Sequence, residues 1–169
     1  MEEKIVQPWM KGLIISLFTI VLGIGLYLAD LWQDKMLSSI SWVIVVGGII
    51  WSCIHYAKQM QGDVTFGNVF AHGFKVTATL IVITVVYTLL SMKVLFPEMT
   101  DKIIENAATE MEKNKQMNDD QIKQALDMTR KFMLPFAIGG IILGYGFVGA
   151  IASAIGAGLA KKTPKQNPF

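Results

Sequence analysis

Asn68, His72 and Lys75 fall on one side of a helix at 100° per residue, and they are the nearest thing in this chain to a chemical site. An amide, an imidazole and an ammonium together suit a phosphate headgroup, for which lysine is a fitting point charge. They lie in "GDVTFGNVFAHGFK", residues 62–75, between two strongly apolar runs. Other candidates are weaker. His55 and His72 flank the same link, with Asp63 as a conceivable third ligand, but two histidines without a cysteine or a fixed carboxylate make a poor metal site. "GYGFVG", residues 144–149, matches G-x-G-x-x-G, yet that fingerprint needs a preceding strand and an open helix start, and here it lies within an apolar helix. Cys53 is mid-helix, and no Ser/His/Asp or Cys/His arrangement is visible in the sequence. Every charge falls at or beyond the end of an apolar run, which argues against a buried-carboxylate transporter and against an enzyme. No metal and no cofactor are expected.

The elements that carry these residues follow from the charge pattern. The chain of 169 residues is 53 % hydrophobic and 17 % charged, where a soluble domain has about a quarter of its residues charged. Residues 12–29, 37–54, 76–92 and 132–160 are free of Asp, Glu, Lys, Arg and His. A bilayer core takes about 20 apolar residues to cross, and backbone in lipid must satisfy its own hydrogen bonds. The expected fold is therefore all-α: a four-transmembrane-helix bundle, helices 12–29, 37–57, 66–92 and 132–160, forming a single membrane domain over 1–169. Lys4 and Lys11 before the first run invite a signal-peptide reading, but the length of the run and Tyr27 near its end favour a retained anchor. A net charge of +2 implies no nucleic-acid partner. The single cysteine allows no internal disulfide.

Helix faces come next. With Thr65 at a helix start, Phe66, Phe70 and Phe74 form a stripe with Gly73 beside it, and Thr77, Thr84, Thr88 and Ser91 continue that face. Aromatic residues set depth at a membrane edge, and small or hydroxylic residues mark close helix contact. Thr77, Thr84, Thr88 and Gly73 are thus expected packing residues, while Asn68, His72, Lys75 and Thr79 are expected to look toward headgroups or water. Gly12, Ser16, Thr19 and Gly23 form a like face on the first helix, and Ser41, Gly48, Ser52 and His55 on the second. In the last helix Gly146, Ala150, Ala154 and Gly158 recur every four residues, with Gly149, Ser153 and Ala157 in a parallel row. Such a helix can close a bundle or a homodimer.

Between the third and fourth spans, residues 97–131 read as an extramembrane amphipathic helical hairpin turning about 114–118. Pro97 suits a helix start, and Asn118 with Gln121 makes a capping-box pattern. Pro135 is expected to kink or restart the chain entering the last span. Lys4, Lys11, Lys58, Lys75, Lys161, Lys162 and Lys165 cluster on one side of the predicted topology. The acid-free "AKKTPK" tips the orientation toward cytoplasmic termini.

The layout, "TFGNVFAHGFK" at 65–75, "MNDDQIKQALD" leading into "KFMLP", and the small-residue last helix ending in Lys161 and Lys162 resemble the domain of unknown function 4199 family. The resemblance covers nearly the whole chain. It implies a small four-helix membrane protein of the inner membrane of a Gram-negative bacterium, typically of the Bacteroidota, encoded near glycosyltransferases that act on lipid-linked sugars. It brings no catalytic residues.

The expected role is a non-enzymatic accessory or scaffold subunit of an envelope complex. Its partners would be membrane lipid and a membrane protein or a second copy of itself. The alternative is a small subunit of a lipid or lipid-linked-sugar transporter or flippase, acting with a glycosyltransferase or as a dimer, with Asn68, His72 and Lys75 at the headgroup.

Overall fold

The computed structural model describes residues 6–31, 34–113 and 118–162, without the side chains of 35 and 38. The hairpin turn at 114–117 and the orientation-setting Lys4 and Lys165 lie outside the described residues. Among those residues every regular element is helical: α1 (Pro8–Leu28), α2 (Lys35–Gln59), α3 (Phe66–Leu90), a π-helical turn (Ser91–Leu95), α4 (Glu98–Lys113) and α5 (Asp119–Leu159). Four of the helices, α1, α2, α3 and α5, are long and apolar enough to cross a membrane.

Local chemistry sets the helix starts. Pro8 opens α1, where its missing N–H costs nothing. Asp34 Oδ1 accepts from the Met36 and Leu37 amides (2.8 and 3.2 Å), capping α2. Thr65 Oγ1 does the same for the Asn68 amide at the head of α3 (3.2 Å). At α5 the capping box closes in both directions: Gln121 N–H donates to Asn118 Oδ1 (2.8 Å), and Asn118 N–H donates to Gln121 Oε1 (3.0 Å).

One boundary differs from expectation. No break separates the hairpin from the last span: α5 runs unbroken for 41 residues with Pro135 inside it. Proline removes one N–H from the ladder, and the bonds on either side are enough to carry the helix past a single gap.

The chain divides into two compact units, Met1–Thr84 with Ile142–Phe169, and Val85–Ile141. The first unit holds the core: Val45, Ile49 and Cys53 of α2, Val69, Val76 and Leu80 of α3, Ile15 of α1, and Ala152 and Ala157 of α5. Its helices approach through missing side chains. A Cβ on Gly12 would come within 2.8 Å of both Thr79 Cβ and the Val76 carbonyl oxygen, so α1 lies against α3. One on Gly48 would meet Ile15 at 2.9 Å, joining α1 to α2. One on Gly149 would overlap Thr77, joining α5 to α3, and one on Gly156 would sit 2.7 Å from Cys53 Cβ, joining α5 to α2. Small residues allow such approach where lipid supplies no hydrophobic drive between helices.

The second unit is built otherwise. α4 has no buried residue, and its exposed Asp101 is paired with the exposed Arg130 of α5 at 2.9 Å. Ile122 is among its few buried side chains.

Candidate functional site: lysine, serine and histidine inside the first unit

The sequence placed His72 on an outward face with Asn68 and Lys75. The structure separates them. Asn68 and Lys75 are exposed, whereas His72 is only 6 % exposed and points into the unit. The reason is phase. The buried residues of α3 are Val69, His72, Gly73, Val76, Thr77 and Leu80. Their centre is rotated about 90° from that of the phenylalanine stripe at 100° per residue, which brings His72 onto the edge of the interior face. Phe66 and Phe74 remain about half exposed, and the three rings stack along the outside at 6.3 and 6.1 Å.

His72 meets two groups from other helices. Ser52 Oγ lies 3.2 Å from its Nε2, and Lys11 Nζ lies 3.4 Å from the same nitrogen. Lys11 also donates to the Ser52 carbonyl at 3.3 Å, using the lone pair that an α-helical carbonyl leaves over. Its ammonium sits 6.0 Å from the centre of the Trp51 ring. The Tyr56 ring covers the imidazole face to face, 4.2 Å away and tilted by 9°. Lys11 is 1 % exposed and Ser52 has no exposed surface.

One sequence expectation is overturned here: a charge-bearing residue does lie within a span, since Lys11 is three residues into α1. A serine–histidine contact also forms, without the acid of a Ser/His/Asp arrangement among the described residues. Both escaped notice for one physical reason. A lysine one turn inside a helix end ordinarily snorkels to water, whereas this one is held under the packed ends of α2 and α3. Val69, Val76 and Leu80, seven and then four residues apart, share the stripe on whose edge His72 falls, but Val82 and Val86 make the opposite face apolar too, so the spacing alone does not mark it.

Chemically the cluster is closed. An ammonium only donates, so Nε2 presents its lone pair to Lys11, which assigns the imidazole proton to Nδ1. The Ser52 hydroxyl reaches the same lone pair. One acceptor thus faces two donors, which serves to hold three helices together. Attack by Ser52 on a substrate would need an open path to Oγ and an acid behind the imidazole. Neither is present among the described residues, where no group of three or more His, Cys, Asp or Glu could hold a metal ion.

The remaining predicted positions divide sharply. Gly73 is buried between α2 and α5, its missing Cβ 2.5 Å from Cys53 Sγ and 2.6 Å from Ser153 Oγ. Thr77 is 1 % exposed and donates to the Gly73 carbonyl (3.1 Å). Thr84 and Thr88 are half-buried. In α5 the inward row is Gly149, Ala152, Ser153, Gly156 and Ala157. The row Gly146, Ala150, Ala154 and Gly158 is turned away: a Cβ on Gly146 or Gly158 would meet nothing within 4 Å, and Ala150 and Ala154 are half-buried. Both rows are small, so sequence alone could not choose. The protruding Thr77 and Cys53 opposite decide it.

Four apolar helices, three of them meeting through a lysine–serine–histidine cluster, define an integral membrane protein with a polar packing point near one end of its spans. Residues 11–162 match the family model described as "Protein of unknown function (DUF4199)", and the chain belongs to that family. Searches of curated proteins and of solved structures each found no match.

Proposed function

We propose that this chain is a non-enzymatic accessory subunit that anchors itself in the membrane through its first unit and engages a protein partner through its second. One observation carries this reading. A groove of about 410 Å³ between α4 and the start of α5 has an apolar floor of Ile104, Ile122 and Leu126 and a rim of mixed charge, Glu112, Lys123, Asp127 and Arg130. An apolar centre with a polar rim of both signs is the anatomy of a protein-docking surface, and a lipid tail has no use for such a rim. The closed Lys11–Ser52–His72 cluster supports the non-catalytic part, since its reactive groups are spent on one another.

The alternative, a lipid or lipid-linked-sugar transporter subunit, drew on Asn68, His72 and Lys75 acting together. With His72 inside, it loses that support.

The test is a photo-crosslinking residue placed at Lys123 or Leu126 in native membranes. The expected outcome is one recurrent protein adduct that disappears when Lys123→Glu and Asp127→Lys are combined elsewhere on the rim of a Leu126-labelled chain. Adducts with lipid alone, or none, would sink the reading.

A further inference from the structure

Beyond this role, and independent of it, the first unit carries a second polar feature that the packing does not consume. At the ends of α2 and α5 a cleft of about 780 Å³ is lined by Lys58, Lys161 and Lys162 above Ile54, Ala57 and Leu159. Its size is within the range of ligand sites, about 300–1,000 Å³. All three lysines are exposed; Lys162 lies 5.4 Å over the Phe66 ring, which keeps it beside the cleft.

The turn that closes α2 also borders the cleft. Gln61 (φ 52°) and Gly62 (φ 80°) are left-handed, and their N–H groups donate back to the carbonyls of Lys58 and Ala57, both at 2.9 Å. Those amides are used, so recognition falls to the lysine side chains. Charge can be reckoned roughly. Three ammoniums face two helix C-termini, each worth about half a negative charge, which leaves a surplus of about two. Asp63, the nearest acid in sequence, does not line the cleft, and counting it still leaves about one positive charge.

The apolar floor continues outward. Ile151, Ile155 and Leu159 recur every four residues on α5 and are 46 %, 46 % and 62 % exposed. This stripe leads from the cleft down the lipid-facing side of a span. A soluble anion would gain nothing from such a floor, whereas an amphiphile with one negative head and acyl tails uses both halves.

We infer that this cleft binds the phosphodiester headgroup of an anionic glycerophospholipid, with Lys58, Lys161 and Lys162 on the phosphate and an acyl chain along Ile155 and Ile151. Basic pockets between spans select anionic lipid in this way.

The experiment is native mass spectrometry of the full chain in mild detergent, titrated with phosphatidylglycerol or phosphatidylcholine. The wild type is expected to retain phosphatidylglycerol in preference, and millimolar inorganic phosphate is expected not to displace it. Replacing Lys58, Lys161 and Lys162 by Gln should cut the preference by on the order of tenfold to a hundredfold, and replacing all three by Arg should keep it. A control with Lys93, Lys113 and Lys131 changed to Gln should also keep it. Equal retention of the two lipids overturns the inference, as does a cleft variant that behaves like wild type or a control that loses as much. Full displacement by inorganic phosphate overturns it in favour of a free-anion site. None of these outcomes depends on whether a protein docks at Lys123 or Leu126.

Discussion

The two units of this chain are held together by opposite means. In the first, helices touch through atoms that are absent: Gly12, Gly48, Gly73, Gly149 and Gly156 let backbones close on Thr79, Ile15, Cys53, Thr77 and Ile50. In the second, α4 buries no residue, and the polar contacts made there, the Asp101–Arg130 pair and the Asn118–Gln121 box, remain wet. The difference teaches where each unit is vulnerable. A methyl group should damage the first more than the loss of a charge damages the second.

The largest effect should come from Gly149→Ala or Gly73→Ala, which push a methyl into Thr77 or into Cys53 and Ser153. Overpacking of this kind costs about 1–3 kcal/mol, read as a lower unfolding midpoint in a detergent titration. Wild-type stability in both variants would break the account of the first unit. Lys11→Ala comes next, at about 1–2 kcal/mol, because it strips a donor from the buried Ser52 carbonyl and His72. Lys11→Met, which keeps the stem packed, should cost less, and equal losses would assign the effect to the lost ammonium contacts alone.

In the second unit Asn118→Ala should cost about 1 kcal/mol. It should appear as faster hydrogen exchange of the first amides of α5, with the first unit's protection unchanged. Gly146→Ala should move the other way, stabilising by about 0.5 kcal/mol, since its Cβ meets nothing and alanine is the better helix former. A loss there would mean the outward row packs after all. Asp101→Asn is the smallest, under about 0.5 kcal/mol, because both partners are exposed and screened. A larger loss would show that the pair does more than its exposure allows.

How much of this was legible beforehand depends on which solvent each residue meets. Residues 12–29 and 132–160 announced spans because lipid tolerates no run of charge, and Asn118 with Gln121 announced a cap because that bond is local. The inward phase of α3 was not legible. In water an apolar stripe marks the interior, but in lipid both faces are apolar, so Val69 and Val76 carried no more signal than Val82 or Val86. His72 and Lys11 were lost with that phase. The small rows of α5 failed for a related reason: choosing between Gly146 and Gly149 requires knowing what protrudes from α2 and α3. The continuity of α5 through Pro135 was hidden because a proline predicts a local cost without saying whether its surroundings outweigh it.

The closeness of the helices in the first unit has a further meaning for how such a sequence can drift. Its interior positions admit substitutions by size: serine and alanine can exchange with little regard for polarity, while Gly12, Gly48, Gly73, Gly149 and Gly156 admit nothing larger. Its outward positions admit substitutions by polarity: leucine, phenylalanine and valine can exchange with little regard for shape. A saturation mutagenesis map should therefore separate into two alphabets, and a site's alphabet would report its facing directly. Lys11 and His72 belong to neither, and would stand out as positions where almost no exchange is accepted.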